Sequence, residues 1–85
     1  MHWVYIIKSK RHQQFYIGYT KNLVQRLKDH NAGLVTSTKR YLPWKLVYTE
    51  GYVNEDDARD RERKLKQFGK VYSQLKRRIW RSLRS

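Results

Sequence analysis

Two short segments near the start of the chain constrain its fold more than any other feature. They cover residues 3–8 (WVYIIK) and 14–19 (QFYIGY), and a polar, basic stretch separates them. Both are rich in β-branched and aromatic residues, which is typical of strands, and their spacing predicts an antiparallel hairpin. Because both faces of each strand carry apolar side chains, we expect the sheet to be covered on at least one side.

Two asparagines mark the starts of helices. Asn22 with Gln25 three residues later resembles a capping box, and the apolar spacing that follows predicts a first helix over about 22–32. Asn54 is followed directly by three acidic residues, which favour the positive end of a helix. A second helix is therefore predicted from there to about Gln67.

The remaining segments complete an α+β pattern. Residues 44–53 are predicted as a third strand, and the apolar spacing after Gly69 predicts a third helix that continues to Leu83. The order is ββαβαα, which predicts a three-stranded antiparallel sheet flanked by three helices. With 85 residues in the chain, we expect residues 1–85 to form a single domain.

The charge of the chain points to a polyanionic partner. It has 20 Lys and Arg against 7 Asp and Glu, a formal net charge of +13. Six of those seven acids fall within residues 50–62, and no acid follows. Lys and Arg that neutralise phosphates release condensed counterions, so a charge of this size favours nucleic acid as the partner.

Composition excludes several other classes of protein. The chain has no cysteine, which excludes disulfides, thiolate zinc sites and thiol nucleophiles. Its longest apolar run, residues 3–7, is too short for a membrane span or the core of a signal peptide. We expect a cytoplasmic protein associated with the nucleoid, a monomer with a dimer left open, and no membrane partner.

Glu62 lies at an unusual position on the second predicted helix. It follows Ala58 by four residues and precedes Leu65 by three, which places it on the stripe that faces the core. An unpaired buried carboxylate is unfavourable by several kcal/mol, so this side chain needs a cationic partner or a metal. The alternative is a glutamate at the edge of the stripe, paired with Lys66 or Arg59.

Four further residues carry groups that suit work on a phosphate. Arg26 and His30 lie four positions apart and share one side of the first helix, offering a planar cation and an imidazole. Tyr5 and Tyr16 each occupy the middle of a predicted strand. Considered alone, Arg26 and His30 are also explained as a solvated arginine beside a half-buried histidine. Each tyrosine, considered alone, is also explained by packing within the sheet.

Together these residues resemble the GIY-YIG endonuclease superfamily, specifically its small single-domain bacterial members. The resemblance extends from Trp3 to about Lys66. Its two motifs align with residues 3–5 (WVY) and 16–18 (YIG), and eleven positions separate the two tyrosines. The sequence departs from the family at Trp3, which replaces the first glycine. A late asparagine of several members also has no counterpart, and neither Ser73 nor Gln74 is assigned a role.

The resemblance implies a metal-dependent endonuclease that hydrolyses phosphodiester bonds of DNA. Single-stranded or structured DNA is favoured, because a body this small cannot readily specify a long duplex site. The implied catalytic residues are Tyr5, Tyr16, Arg26, His30 and Glu62. Glu62 would hold one Mg²⁺ or Mn²⁺ ion, and Arg26 would stabilise charge on the phosphate. The attacking water would be deprotonated through Tyr5, with His30 and Tyr16 sharing proton transfer and orientation, and any of the three could be the general base. Arg26 and the metal ion would depress the pKa of Tyr5.

Contacts to flanking phosphates are assigned to the loop before the third strand and to the basic third helix. In the loop the candidate nucleic-acid-binding residues are Thr38, Lys39 and Arg40. Tyr19, Tyr41 and Trp44 are open to two interpretations, as surfaces on which bases stack or as core residues.

Two competing hypotheses explain the charge without catalysis. One is a non-catalytic protein that binds DNA or RNA and retains the fold; the other is a basic protein of the ribosome or nucleoid. Neither explains the positions of the two tyrosines, the arginine, the histidine and the glutamate together.

Overall fold

The computed structural model describes residues 1–84, and its three strands form one antiparallel sheet. They are β1 (His2–Ser9), β2 (Phe15–Thr20) and β3 (Trp44–Tyr52), in the order β2-β1-β3. The predicted hairpin and third strand are confirmed, and β1 lies in the centre. Ser85, the last residue of the predicted domain, lies outside the described residues.

The central strand β1 supplies side chains to two separate apolar clusters. Val4 and Ile6 point to one face of the sheet, and Tyr5 and Ile7 point to the other. All four are at most 2% exposed. The sheet is therefore covered on both faces, which explains why both alternating positions of this strand are apolar.

Helix α1 (Leu23–Asn31) packs on the face that carries Tyr5. Asn22 caps it, since its side-chain oxygen accepts a hydrogen bond from the backbone N–H of Gln25 at 3.1 Å. The helix ends in a Schellman motif, in which Gly33 adopts a positive φ of 76° and the N–H of Leu34 donates to the carbonyl of Asp29. These local signals confirm the predicted helix to within one residue at each end.

Helix α2 (Glu55–Gln67) covers the opposite face of the sheet. Its N-cap is Asn54, whose side chain accepts from the backbone N–H groups of Asp56 and Asp57. Ala58 and Leu65 are buried against the cluster of Val4 and Ile6. Helix α3 (Gly69–Arg78) adds Leu75 to this cluster.

The third predicted helix is divided in the structure. It leaves the helical conformation at Ile79, after α3, and α4 (Trp80–Arg84) follows as a short separate helix against β3. The ammonium of Lys8 donates to the carbonyl of Leu83 at 2.9 Å and ties α4 to β1. The division occurs at Ile79, whose backbone (φ −116°, ψ 23°) leaves the helical range. The α+β class and the order ββαβαα are confirmed, with the last predicted helix present as α3 and α4.

Glu50 of β3 accepts side-chain hydrogen bonds from its own strand and from α2, and its ion pair with Arg61 joins the two elements. Its carboxylate accepts from the hydroxyls of Tyr48 and Tyr52, both at 2.6 Å, and from the guanidinium of Arg61 at 3.0 Å. Desolvation acts to raise the pKa of Glu50, but these donors outweigh it and hold that pKa below its ordinary value. Among residues 1–84, no helix has the length and apolar character needed to cross a membrane.

Candidate functional site

The ring of Tyr5 lies directly across the backbone of Gly18 on the neighbouring strand. The two residues are paired across β1 and β2, and a Cβ atom at Gly18 would lie 2.3 Å from the tyrosine hydroxyl oxygen. No side chain fits there. The glycine inside a strand is therefore explained by the close approach of Tyr5, whose ring is only 2% exposed.

A chain of hydrogen bonds runs inward from Tyr5. Its hydroxyl lies 2.7 Å from Nε2 of His30, and Nδ1 of His30 lies 2.8 Å from the hydroxyl oxygen of Thr38. The Thr38 hydroxyl in turn donates to the carbonyl of Val35 at 3.4 Å. A carbonyl can only accept, so this direction assigns the imidazole proton to Nδ1 and leaves Nε2 to accept the proton of Tyr5.

Residues at both ends of the loop that follows α1 hold this chain of hydrogen bonds in place. The indole N–H of Trp44 donates to the carbonyl of Thr38 at 2.9 Å. The side chain of Asn31 binds both the N–H and the carbonyl of Trp44, at 2.6 and 3.0 Å. Because His30 and Thr38 are both fully buried, their geometry is determined by this packing rather than by solvent.

The environment keeps both partners of the outer hydrogen bond neutral near pH 7. Burial raises the pKa of Tyr5 to about 12, and a hydrogen bond from Arg26 lowers it only in part. Burial, assisted by the positive charge of Arg26, lowers the pKa of His30 to about 4. Desolvation therefore outweighs the effect of Arg26 on the pKa of Tyr5, and the expectation that this cation depresses it below the ordinary value is wrong. The effect of a bound metal ion on that pKa stays a prediction.

Tyr16 and Arg26 border the same group. The ring centroid of Tyr16 lies 5.1 Å from that of His30 and 6.4 Å from that of Tyr5. Arg26 shares a hydrogen bond with Tyr5, which raises the pKa of the arginine further. Both side chains are half-buried, so they form the solvent-facing part of the site.

Glu62 reaches this group from α2, around the edge formed by β2. One carboxylate oxygen pairs with the ammonium of Lys66 at 3.1 Å, and that ammonium also lies 5.4 Å from the ring centroid of Tyr16. The Glu62 side chain is 21% exposed, and its charge contributes to the raised pKa of Tyr5. Of the two interpretations of this residue, the ion pair with Lys66 is present, and Lys66 connects it to Tyr16.

The carboxylate of Glu62 suits a hard divalent cation. Mg²⁺ is commonly held by one or two carboxylates and keeps several waters, so one partly exposed glutamate beside a phosphate is an adequate protein ligand. Among the described residues, no group of three or more histidine or acidic side chains could hold a metal ion. The chemistry of the site therefore fits a single, mostly hydrated ion and no closed structural metal site.

The structure changes the role of one loop residue. Thr38 was a candidate contact to nucleic acid, but it is fully buried and holds His30, so that prediction is wrong. Lys39 and Arg40 form an exposed helical turn with Tyr41, and their contact to phosphates stays a prediction. Trp44 is only 3% exposed and belongs to the core. No local pattern links Thr38 to His30, because the loop between them brings the two together.

The departure at Trp3 has a local explanation. Trp3 pairs with Gly51 of β3, and a Cβ atom at Gly51 would lie 2.8 Å from its ring. The indole of Trp3 therefore lies over a glycine of β3, just as the ring of Tyr5 lies over a glycine of β2. Trp3 packs on β3, whereas Tyr5 packs on β2.

The fold and the site together define a GIY-YIG domain: a three-stranded sheet whose first two strands each present a tyrosine to a histidine and an arginine on the following helix. The model of the family described as "GIY-YIG catalytic domain" matches residues 1–79, so the chain belongs to the GIY-YIG family.

Similar proteins carry the family name UPF0213. One from Staphylococcus haemolyticus is 40% identical over 70 residues, which cover 81% of this chain and 84% of that protein. One from Halobacterium salinarum is 33% identical over 72 residues, covering 84% and 92%. The solution NMR structure of a UPF0213 protein from Bacillus halodurans matches with a TM-score of 0.55 and 27% identity, covering 92% of this chain and 85% of that one.

Proposed function

We propose that this protein is an endonuclease that hydrolyses phosphodiester bonds of DNA with one divalent metal ion, Mg²⁺ or Mn²⁺, at Glu62. Its substrate is single-stranded or structured DNA of the nucleoid, in the cytoplasm. The observation that carries the proposal is the hydrogen-bonded chain from Tyr5 through His30 to Thr38, since its outer member, Tyr5, interacts with Arg26 and with the charge of Glu62. This places an acceptor for a proton, a cation for a phosphate and a carboxylate for a metal ion around one tyrosine.

The chain of hydrogen bonds provides a path for one proton. Tyr5 takes a proton from the attacking water while its own proton passes to Nε2 of His30. The water oxygen forms a bond to phosphorus as the bond to the 3′ oxygen breaks, and the leaving 3′ oxygen takes a proton from solvent to become a hydroxyl. Because Nδ1–H of His30 donates to Thr38, the resulting imidazolium is hydrogen-bonded on both sides.

The energies restrict when this transfer occurs. Burial favours the neutral form of both side chains, since it raises the pKa of Tyr5 and lowers that of His30. We therefore expect the proton transfer between them to accompany attack on the phosphate. The resting site holds neutral Tyr5 and neutral His30.

The remaining residues act on the phosphate. Arg26 is charged at all relevant pH values and presents a planar set of donors that matches two phosphoryl oxygens. Tyr16 orients the substrate from the edge strand. Glu62 would hold the metal ion, which supplies charge stabilisation to the phosphoryl oxygens when bound. Lys66 is then released from its ion pair and is available to a neighbouring phosphate.

Cleavage assays on matched substrates test the proposal. Labelled single-stranded, duplex and branched DNA of one sequence are incubated with Mg²⁺, Mn²⁺ or EDTA. We expect wild type to cut with either metal, and Glu62→Gln and Tyr5→Phe to lose at least about 100-fold in rate, the usual contribution of a general base.

Two control variants separate chemistry from charge and packing. Asp60→Asn removes an equal charge from the same helix, together with its ion pairs to Lys64 (i, i+4) and Arg63. Tyr41→Phe removes a hydroxyl from the same apolar cluster as Tyr5. Both should cut at the wild-type rate. If wild type binds DNA but cuts none of the substrates, the non-catalytic binder is the correct interpretation. Equal cutting by Glu62→Gln would refute the proposed metal-dependent reaction at Glu62.

A further inference from the structure

A cleft of about 410 Å³ lies beside the site, between the edge strand β2 and helices α2 and α3. Its walls include three aromatic rings, those of Phe15, Tyr16 and Tyr72. It shares Tyr16 with the candidate site, and its Lys66 pairs with Glu62 of that site. A group that occupies this cleft is therefore continuous with whatever occupies the site.

The charges around the cleft are those that a phosphate chain requires. The described lining residues include Lys66 and Lys76 and no acid. Each ammonium lies over an aromatic ring, Lys66 at 5.4 Å from Tyr16 and Lys76 at 4.6 Å from Tyr72. Apolar rings between two cations suit a ligand with a flat face and an attached anion.

We propose that this cleft is a binding site for an unpaired nucleobase next to the phosphate that is cut. A base stacks on the aromatic rings while the two lysines move from the ring faces to the flanking phosphates. Stacking of a base on such a ring is worth more than an exposed contact between a lysine and the same ring, so the exchange is favourable. The lysines also gain phosphate contacts, which the free protein lacks.

The geometry of the sheet supports an unpaired rather than a paired base. β2 is an edge strand, so one side of its backbone is not paired with another strand of the sheet. Phe15, at the start of β2, is 37% exposed, which leaves its ring accessible from solvent. A base within a duplex is stacked on both faces and cannot reach the cleft, whereas a single strand can place a base there without being unpaired first.

This inference rests on the proposed function at one point, because it takes the DNA strand in the cleft to be the strand that is cut at the site. Its test therefore measures binding in EDTA, where cleavage plays no part. Fluorescence anisotropy compares labelled oligothymidylate with an abasic deoxyribose phosphate oligomer of the same length and charge. Wild type should bind the oligomer with bases at least about tenfold more tightly, as expected when one base stacks on an aromatic ring.

Two variants locate the preference in the cleft. Phe15→Leu and Tyr72→Leu keep an apolar side chain and remove a ring, and each should reduce the preference for bases while binding the abasic oligomer as wild type does. Trp80→Leu removes an aromatic ring that is 42% exposed and outside the cleft, and should retain the preference.

Three results would overturn the proposal. Equal affinity of wild type for both oligomers would leave the cleft to another occupant. A preference that survives in both leucine variants, or that falls equally in Trp80→Leu, would place stacking elsewhere. Phe15→Leu keeps the test decisive if Tyr72→Leu does not fold. A base preference without cleavage in Mg²⁺ would refute only the nuclease proposal.

Discussion

Replacement of Thr38 by valine tests whether this residue determines the protonation of His30. Valine has nearly the same shape as threonine but lacks the hydroxyl that lies 2.8 Å from Nδ1 of His30. Both residues are fully buried, so no water can take the place of the hydroxyl. An unsatisfied buried donor is unfavourable by about 1–3 kcal/mol. We expect a loss near 2 kcal/mol, which lowers the Tm of a domain this size by roughly 10 °C.

The variant should also change the tautomer of the imidazole. Without an acceptor at Nδ1, the proton is better placed on Nε2, where it donates to the hydroxyl oxygen of Tyr5. That arrangement removes the acceptor for the proton of Tyr5, so cleavage should fall at least about tenfold. The ¹⁵N chemical shifts of the ring nitrogens of His30 report which nitrogen carries the proton.

Thr38→Ser is the matched control, because it keeps the hydroxyl and removes one methyl group, worth about 0.8 kcal/mol of burial. It should retain the wild-type tautomer and most of the cleavage. The reasoning fails if Thr38→Val shows the wild-type ¹⁵N shifts and its free energy of unfolding lies within about 0.5 kcal/mol of the wild-type value. A difference that small is typical of a surface substitution.

Three further predictions follow from other contacts. In Gly18→Ala, the new Cβ would lie 2.3 Å from the Tyr5 hydroxyl and must displace the ring. We expect the free energy of unfolding, measured by chemical denaturation, to fall by about 1–3 kcal/mol and cleavage to be lost. Gly69→Ala is the control and should be harmless, because its Cβ would have no atom within 4 Å. Unfolded histidine binds a proton below about pH 6.5 and folded His30 only below about pH 4, so the free energy of unfolding should fall by up to about 3 kcal/mol as the pH falls through this window. A flat profile between these pH values, measured against His30→Gln, would contradict the assignment. Replacing Lys39 and Arg40 together by glutamine should reduce the slope of log affinity against log salt by about 2 and leave cleavage at saturation unchanged; an unchanged slope would remove them from the interface.

The elements of this fold were predictable because their signals are local. Side-chain caps at Asn22 and Asn54 begin the helices, and Gly33 ends the first one by adopting a positive φ. The short β-branched segments could only be strands in a chain of this length. The break at Ile79 carries no glycine or proline, so no residue type announces it.

The site was predictable only as a set of residues. Spacing along the chain and the resemblance selected Tyr5, Tyr16, Arg26, His30 and Glu62, but burial decides their protonation and is not visible in a sequence. The partner of His30 lies eight residues away across a loop, so no helical or strand period connects them. The hydrogen bonds of Glu50 had a local sign, since Tyr48 and Tyr52 flank it at strand spacing, but Arg61 comes from another element.

The alternation along β1 has a consequence for which sequence changes the protein tolerates. Val4 and Ile6 belong to one cluster, and Tyr5 and Ile7 belong to the other. If the two faces of β1 were exchanged, the phenol of Tyr5 would enter the apolar cluster under α2. A deletion of one residue within β1 would shift every following side chain to the wrong face, and thus abolish the core and the site in one step. Changes in length should therefore be confined to the exposed residues 10–14 between β1 and β2, where they alter neither face of the sheet.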